Sequence, residues 1–302
     1  MARVARVNAA IAGHTPKTAG EPRGHNGAVS VDHYENFPVA SLLCPPALRP
    51  AVVAIYHFAR TADDIADEGD DPAETRLALL AAYRRDLDAV LARRQPGPQW
   101  PRVFVALSRC IQAFALPGAL LHDLLDAFEQ DVLNPLYPDR ASLLAYCRRS
   151  ANPIGRLMLH LYGRCDAMSL QRSDAICSAL QLINFWQDLS LDGPRGRHYV
   201  PLADQRSFGV TPNQMRDGID DERSQAMVRD LCGWARALMQ QGAPLALQLP
   251  GRAGWELRFI VQGGLRVLDK IAAIEHRTLE LRPTLSARDG PLLAWRALRM
   301  RN

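Results

Sequence analysis

The chain has 302 residues, of which 48% are apolar, enough for a substantial hydrophobic core. It carries 36 basic and 32 acidic residues, for a net charge of +4. The acids are spread throughout and no basic run is interleaved with aromatic residues, so nucleic-acid binding is not supported. No segment has the roughly 18 uninterrupted apolar residues that cross a bilayer. The six cysteines form no CxxC pair, which indicates small buried hydrophobes in a reducing compartment, and we expect a cytoplasmic protein.

Residues 1–30 are rich in Gly, Pro, Asn and Thr and have no apolar core like that of a secretory signal. This composition predicts a disordered leader. The rest of the chain, residues 31–302, is predicted to form one domain.

The chain after residue 30 has helical character throughout, because Ala, Leu and Arg dominate and proline falls at segment borders. The predicted helices span residues 46–68, 72–93, 100–115, 117–132, 139–162, 169–190, 223–246 and 253–281, with a short one near the C-terminus. A long irregular stretch from Asp192 to Pro212 is typical of a functional loop or a lid. The pattern predicts an all-α helical bundle built around a cavity.

Two carboxylates, Asp63 and Asp67, close the first predicted helix. Their four-residue spacing places both on one helical face, about 6 Å apart along the axis. Like charges at this spacing destabilise a helix unless something neutralises them. Taken alone, the pair could be a solvated helix end or the wall of a cavity that holds a cation.

The same spacing recurs at Asp188 and Asp192, again at the end of an apolar helix. Asn184 and Gln181 lie one and two turns earlier on the same face, where buried amides would need partners. Two carboxylate pairs that face each other would form an oxygen-rich site for Mg²⁺, an ion usually shared between carboxylates and phosphates. The sequence therefore predicts a magnesium site between two helices.

Four stretches together resemble the squalene/phytoene synthase family, the head-to-head class of isoprenyl diphosphate synthases, over about residues 32 to 283. They are "HYENFPVASLLCPPALRPAVVAIYHFARTADDIAD", "YCRRSANPIGRLML", "QLINFWQDLSLD" and "GRHYVP". The resemblance implies an isoprenoid-synthase-type bundle around a central active-site cavity. It also implies a prenyl diphosphate substrate.

The resemblance also implies residue roles. Mg²⁺ would be held by Asp63, Asp67, Asn184, Asp188 and Asp192, with the four aspartates and Tyr146 counted as catalytic. Substrate contacts would come from His33, Phe37, Arg60, Gln181, Asn184, Phe185, Arg197 and Tyr199. Tyr146 would stand near the reacting carbons, and Arg197 and Tyr199 would close over the diphosphate. The register of Arg282, a possible further basic contact, stays open.

An apolar cavity lined with aromatic rings would protect the carbocations that such enzymes form. The candidate rings, each of which could equally belong to the plain core, are Phe37, Phe58, Tyr146, Phe185 and Trp186.

The second motif departs from the family pattern, since Gln187 stands where many members have Arg and Leu191 where they have Glu. Together with local details, this looks most like the bacterial hopanoid-pathway branch, the hydroxysqualene synthases. That branch implies presqualene diphosphate as substrate and water as the quenching nucleophile, with Mg²⁺ required and NADPH not expected. It further implies functional coupling to a presqualene diphosphate synthase and to a hydroxysqualene-reducing enzyme.

Two alternatives stay open. One is a squalene or phytoene-type synthase that condenses two prenyl diphosphates, and the other is a non-catalytic helical assembly protein. Because the implied substrates are strongly hydrophobic, we also expect transient contact with the inner membrane surface. The apolar and basic C-terminal stretch "LLAWRALRMRN" could be an interfacial helix or simply a capping helix packed on the domain.

Overall fold

The computed structural model describes residues 44–68 and 71–301. Within these ranges the chain forms helices joined by turns and contains no strand, so the all-α prediction is confirmed. The α-helices are α1 (Arg49–Asp67), α2 (Ala73–Leu91), α3 (Pro101–Phe114), α4 (Gly118–Leu133), α5 (Arg140–Ser150), α6 (Asn152–Leu161), α7 (Ala167–Gln187), α8 (Leu189–Asp192), α9 (Leu202–Phe208), α10 (Pro212–Asp217), α11 (Glu222–Gly242), α12 (Leu245–Gln248), α13 (Gly251–Ala273) and α14 (Gly290–Arg299). The predicted leader, residues 1–30, lies outside the described residues, and the division into a leader and one domain stays a prediction.

Side-chain caps fix several helix starts. Before α5, the Asp139 carboxylate accepts a hydrogen bond from the backbone N–H of Ser142, whose hydroxyl accepts one from the backbone of Asp139. Asp221 and Ser224 repeat this capping box at the start of α11. Each box satisfies backbone donors that have no partner inside the helix.

One predicted helix, residues 139–162, is in fact two. The break lies at Ala151, between α5 and α6, because Pro153 has no N–H to continue the hydrogen-bond ladder. The prediction for 253–281 is wrong at its end, since α13 stops at Ala273. Glu275 and His276 follow with φ of 56° and 62°, in the left-handed region that ends a right-handed helix.

Two further segments differ from the prediction. The helix predicted over 223–246 ends at Gly242, and α12 follows as a separate turn. The stretch from Asp192 to Pro212 is not irregular throughout, because it contains the seven residues of α9. Before α9, residues 193–201 form turns and irregular backbone.

Two hydrophobic clusters organise the bundle. The first is built mainly by α1, α2, α3 and α4, and the second by α5, α7, α11 and α13. Helices α4 and α6 contribute to both clusters and so connect them. The acidic end of α1 therefore belongs to the first cluster and the acidic end of α7 to the second.

Aromatic packing decides the role of Phe58, one of the rings that could line the cavity or belong to the core. Phe58 is fully buried and packs against Tyr83 and Phe104, with ring centroids 5.3 and 6.2 Å away. Burial of such a ring stabilises the fold by about 1.5–3 kcal/mol. Phe58 is thus a core residue of the first cluster.

The remaining fold-level predictions concern the cysteines and membrane crossing. Four of the six cysteines are buried, as predicted. Cys165 is exposed, so the prediction of burial is wrong for this residue. In the part of the chain that the structure describes, no helix is both long and apolar enough to cross a membrane.

Candidate active site

The first acidic motif occupies the last two turns of α1. Buried Ala59, Ala62 and Ala66 form the inward face of these turns, and their small side chains allow close packing against α3 and α4. Asp63 is buried on this part of the helix, whereas the Asp67 side chain is 36% exposed. The motif therefore reaches from the interior to the edge of the bundle.

Arg60 lies among the acids of its own helix. Its guanidinium is 2.7 Å from an Asp64 carboxylate oxygen, 2.8 Å from one of Glu68 and 3.5 Å from one of Asp63. Burial raises the pKa of Asp64 to about 6; the charge of Arg60 opposes this shift, whereas Glu68 and Asp63 add to it. Arg60 thus places a positive charge directly beside the first motif.

The second acidic motif lies at the junction of α7 and α8. Asp188 caps the end of α7 and Asp192 is the last residue of α8. They are 1% and 3% exposed, so their charges need compensation inside the protein. For Asp188 this comes partly from Arg282, whose Nε donates a hydrogen bond of 2.5 Å to Oδ1.

Gln187, the first departure from the family pattern, anchors the same region. Its side-chain Nε2 donates to the backbone oxygen of Pro283 at 2.7 Å. The segment that follows α13 is therefore held against the end of α7 by two consecutive residues, Arg282 and Pro283. This fixes the register of Arg282, which the sequence left open.

Arg197 connects the two motifs. Its guanidinium lies 2.9 Å from Oδ1 of Asp67, and its backbone N–H donates to the backbone oxygen of Asp192 at 2.9 Å. Asn134, at the end of α4, holds the loop by donating from Nδ2 to the oxygen of Gly196, whose φ is +66°. One residue thus spans both acidic motifs, as expected for a site between the two helices.

Two buried amides lie on α7 beside the second motif. Asn184 is 0% and Gln181 1% exposed. Among the described residues, neither polar atom of the Asn184 side chain has a hydrogen-bond partner, and neither does Oε1 of Gln181. An unsatisfied buried polar group costs about 1–3 kcal/mol, and a bound water, ion or ligand can supply its missing partner.

The donor set suits Mg²⁺ in its chemistry, because the candidate ligands offer carboxylate and amide oxygens. Within residues 44–68 and 71–301, no three His, Cys, Asp or Glu side chains converge as a ready-made metal cage. Mg²⁺ usually keeps several waters and shares its carboxylates with substrate phosphates, so a complete protein cage is not required. Together with the unsatisfied amide of Asn184, these residues fit the ion.

Aromatic rings adjoin the second motif. The Phe185 and Tyr199 rings stack with centroids 3.9 Å apart and planes 7° from parallel. Tyr146 lies 6.2 Å from each of them, and Tyr137 lies 5.7 Å from Tyr146. The structure thus places Tyr199 in an aromatic cluster, and its closure over a diphosphate stays a prediction. Trp186 is also buried and packs on Phe185 and on Trp234.

Tyr146 has an acidic partner that sequence reasoning missed. Its hydroxyl donates to Oδ2 of Asp131 at 2.9 Å. Burial, and then the charge of Asp131, raise the pKa of Tyr146 well above its usual value, so the phenol is neutral at pH 7. The one available signal was an acid in the last turn of α4, the turn that Asp67 also occupies on α1.

Two predicted substrate contacts, His33 and Phe37, lie outside the described residues, and their roles stay predictions. The remaining predicted residues lie on the end of α1, on α5, on α7 and α8, and in the loop after α8. Arg197 contacts the carboxylate of Asp67 through its guanidinium and the backbone of Asp192 through its own backbone N–H.

Comparison with known proteins decides the family, because the squalene/phytoene synthase family matches residues 31–289. The chain belongs to this family. A hydroxysqualene synthase from Rhodopseudomonas palustris is 34% identical over 259 residues, which cover 84% of this chain and 82% of the relative. A presqualene diphosphate synthase from Zymomonas mobilis is 31% identical over 205 residues, 68% of each protein.

A solved structure agrees with this result. The crystal structure of a squalene synthase from Alicyclobacillus acidocaldarius superposes with a TM-score of 0.74 at 34% identity, covering 81% of this chain and 90% of that one. The predicted family and the isoprenoid-synthase-type fold are thereby confirmed. The family consists of isoprenoid synthases that act on prenyl diphosphates.

Proposed function

We propose that the protein converts presqualene diphosphate and water to hydroxysqualene and diphosphate, with Mg²⁺ as cofactor. The observation that carries this proposal is the contact of Arg197 with both acidic motifs, next to a buried aromatic cluster. This arrangement offers charge to a diphosphate at one side and apolar rings to a hydrocarbon cation at the other.

The choice of step within the family rests on two further points. Relatives named hydroxysqualene synthase are 30–36% identical, and relatives named presqualene diphosphate synthase 31–33%, so identity favours the former only slightly. Gln187 and Leu191 replace a positive and a negative group of the family pattern, which suggests a site adapted to a different step from the condensation of two linear diphosphates.

The first task of the site is to bind and polarise the diphosphate. Asp63, Asp67, Asn184, Asp188 and Asp192 would hold Mg²⁺, which when bound would neutralise charge that grows on the leaving oxygens. Arg60, Arg197 and Arg282 bring three guanidinium groups to these same carboxylates. Guanidinium pairs well with phosphate oxygens, so these residues orient the leaving group as the carbon–oxygen bond breaks.

The second task is to guide the carbocation. Tyr146 is neutral and accepts no proton from the cation, and its ring, with those of Phe185 and Tyr199, offers π-electron density. Cation–π contacts of this kind contribute about 0.5–2 kcal/mol each. Their burial also keeps bulk water away until rearrangement is complete.

In the last step one water oxygen bonds to the rearranged cation and its proton leaves to a base. The departed diphosphate can accept that proton, so we assign no side chain to this role. No hydride is transferred in this balance, and NADPH is therefore not expected to take part.

Product identification tests the proposal. Purified protein is incubated with Mg²⁺ and presqualene diphosphate, with and without NADPH, and in parallel with farnesyl diphosphate. Hydroxysqualene from presqualene diphosphate, independent of NADPH, is expected. A C30 product from farnesyl diphosphate alone at a comparable rate would favour the condensing alternative, and no turnover of either substrate would favour a non-catalytic protein.

The partners follow from the reaction. A synthase that makes presqualene diphosphate must supply the substrate, and an enzyme that reduces hydroxysqualene would consume the product. We place the protein in the cytoplasm, in peripheral contact with the inner face of the membrane.

A further inference from the structure

Helix α14 is fastened to the bundle through one face. Leu293 and Ala297 are fully buried, and Nη1 of Arg296 donates to Asp269 at 2.6 Å. At its start, the buried carboxylate of Asp289 lies 2.8 Å from both Arg266 and Lys270. The expectation of a capping helix packed on the domain therefore holds for this face.

The opposite face carries large apolar side chains in solvent. Trp295 is 50% and Leu298 66% exposed, and three residues of separation place them side by side on the helix. The Arg299 guanidinium lies over the Trp295 ring, 4.5 Å from its centroid. We call Trp295, Leu298 and Arg299 the outer face of α14.

The charge around this face is one-sided. Between residues 288 and 301 the sequence has four arginines and a single acid, Asp289, and one of these arginines, Arg296, is already paired with Asp269. Asp289 is buried, and hydrogen bonds from Lys270 and Arg266 outweigh the effect of burial and lower its pKa, so it stays ionised within its own ion pairs. Arg288, Arg299 and Arg301 are exposed.

We propose that the outer face of α14 is a docking surface for anionic phospholipid. Trp and Leu would enter the boundary between headgroups and acyl chains, where Trp is favoured, while the arginine side chains extend to the lipid phosphates. A second copy of this chain is a poorer occupant, because two such faces would bring like charges together. The proposal does not depend on which prenyl reaction the site catalyses.

Vesicle flotation with the full-length protein tests the surface. Vesicles of phosphatidylcholine alone are compared with vesicles that contain one quarter phosphatidylglycerol. The protein is expected to partition at least about tenfold more strongly onto the anionic vesicles, with this preference lost in high salt. The double variant Trp295→Ser/Leu298→Ser should lose at least about tenfold of that binding.

A matched control uses apolar side chains that are similarly exposed elsewhere. Val105 and Met168 are 45% and 52% exposed, and Val105→Ser/Met168→Ser should bind within about twofold of the unchanged protein. Should the α14 double variant unfold, Arg299→Gln/Arg301→Gln provides a second test, with about fivefold weaker binding expected per arginine.

Three results would overturn the proposal. The first is equal binding to both vesicle types, and the second is unchanged binding by the α14 variants. The third is a concentration-dependent dimer that the double variant abolishes, which would make a second copy the occupant. Product formation in detergent is measured separately, so failure of the proposed reaction and failure of lipid docking are distinguished.

Discussion

The contact between Arg282 and Asp188 offers a quantitative test of how the second acidic motif is held. Asp188 is 1% exposed and accepts a 2.5 Å hydrogen bond from Arg282, whose side chain is 27% exposed. Removal of one partner from a buried ion pair costs about 3–5 kcal/mol. Because Arg282 is partly solvated, we expect Arg282→Gln to lower the free energy of unfolding by about 3 kcal/mol, the lower end of that range.

The reciprocal change should cost less. Asp188→Asn removes a buried charge, and its amide oxygen still accepts from Arg282, so a loss of about 1–2 kcal/mol is expected. In the double variant neither a buried carboxylate nor its guanidinium remains. The two losses should therefore not add, and the coupling energy should be about 1–2 kcal/mol.

Urea unfolding followed by circular dichroism at pH 7 gives the three free energies. Arg216→Gln is the control, since its pair with Asp217 is exposed and should contribute less than about 1 kcal/mol. Losses for Arg282→Gln and Asp188→Asn that add within about 0.5 kcal/mol would refute the direct contact.

Three more predictions concern the site and the C-terminal helix. Asp63→Asn should lower turnover about 100- to 1000-fold while the circular dichroism spectrum stays unchanged. Asp71→Asn, at an exposed residue, should leave turnover unchanged, and equal turnover of the two variants would contradict the role of Asp63. Arg197→Gln should change the free energy of unfolding by less than about 1 kcal/mol, because the pair of Arg197 with Asp67 is partly exposed. The same variant should raise KM for the diphosphate substrate, and an unchanged KM would count against a role of Arg197 in substrate binding. Asp289→Asn should lower the free energy of unfolding by about 2 kcal/mol at pH 7. Because the pKa of Asp289 is lowered in the folded protein, this difference from the unchanged protein should shrink as pH falls below about 4. A difference in urea stability that stays constant with pH would contradict the ion pairs.

The acidic motifs could be predicted because their signal is local. Carboxylates four residues apart share a helical face whatever the rest of the fold does, and both pairs do close buried helices. The contact of Arg197 with Asp67 could be anticipated only as a loop that closes over the site. Its geometry depends on Asn134, which holds the loop from a different helix.

Other parts of the site could not be predicted. Arg282 reaches Asp188 across 94 residues of sequence, so that contact leaves no pattern in the chain. The contact of Tyr146 with Asp131 joins two helices, and its one trace in the sequence is an acid near the end of α4. The register of Arg282 also depends on where α13 ends, which the left-handed Glu275 and His276 determine. Helical periodicity does not report such an ending.

The unsatisfied amide of Asn184 has a consequence for protein engineering. A leucine of similar volume at this position would remove the cost of two buried polar atoms, and we expect it to raise the thermal midpoint. The same change would delete an oxygen from the set of side chains that we propose to bind Mg²⁺. If the proposed metal role is correct, selection for thermal stability alone would therefore favour a more stable protein with reduced activity, because one side chain of α7 contributes to activity at the expense of stability.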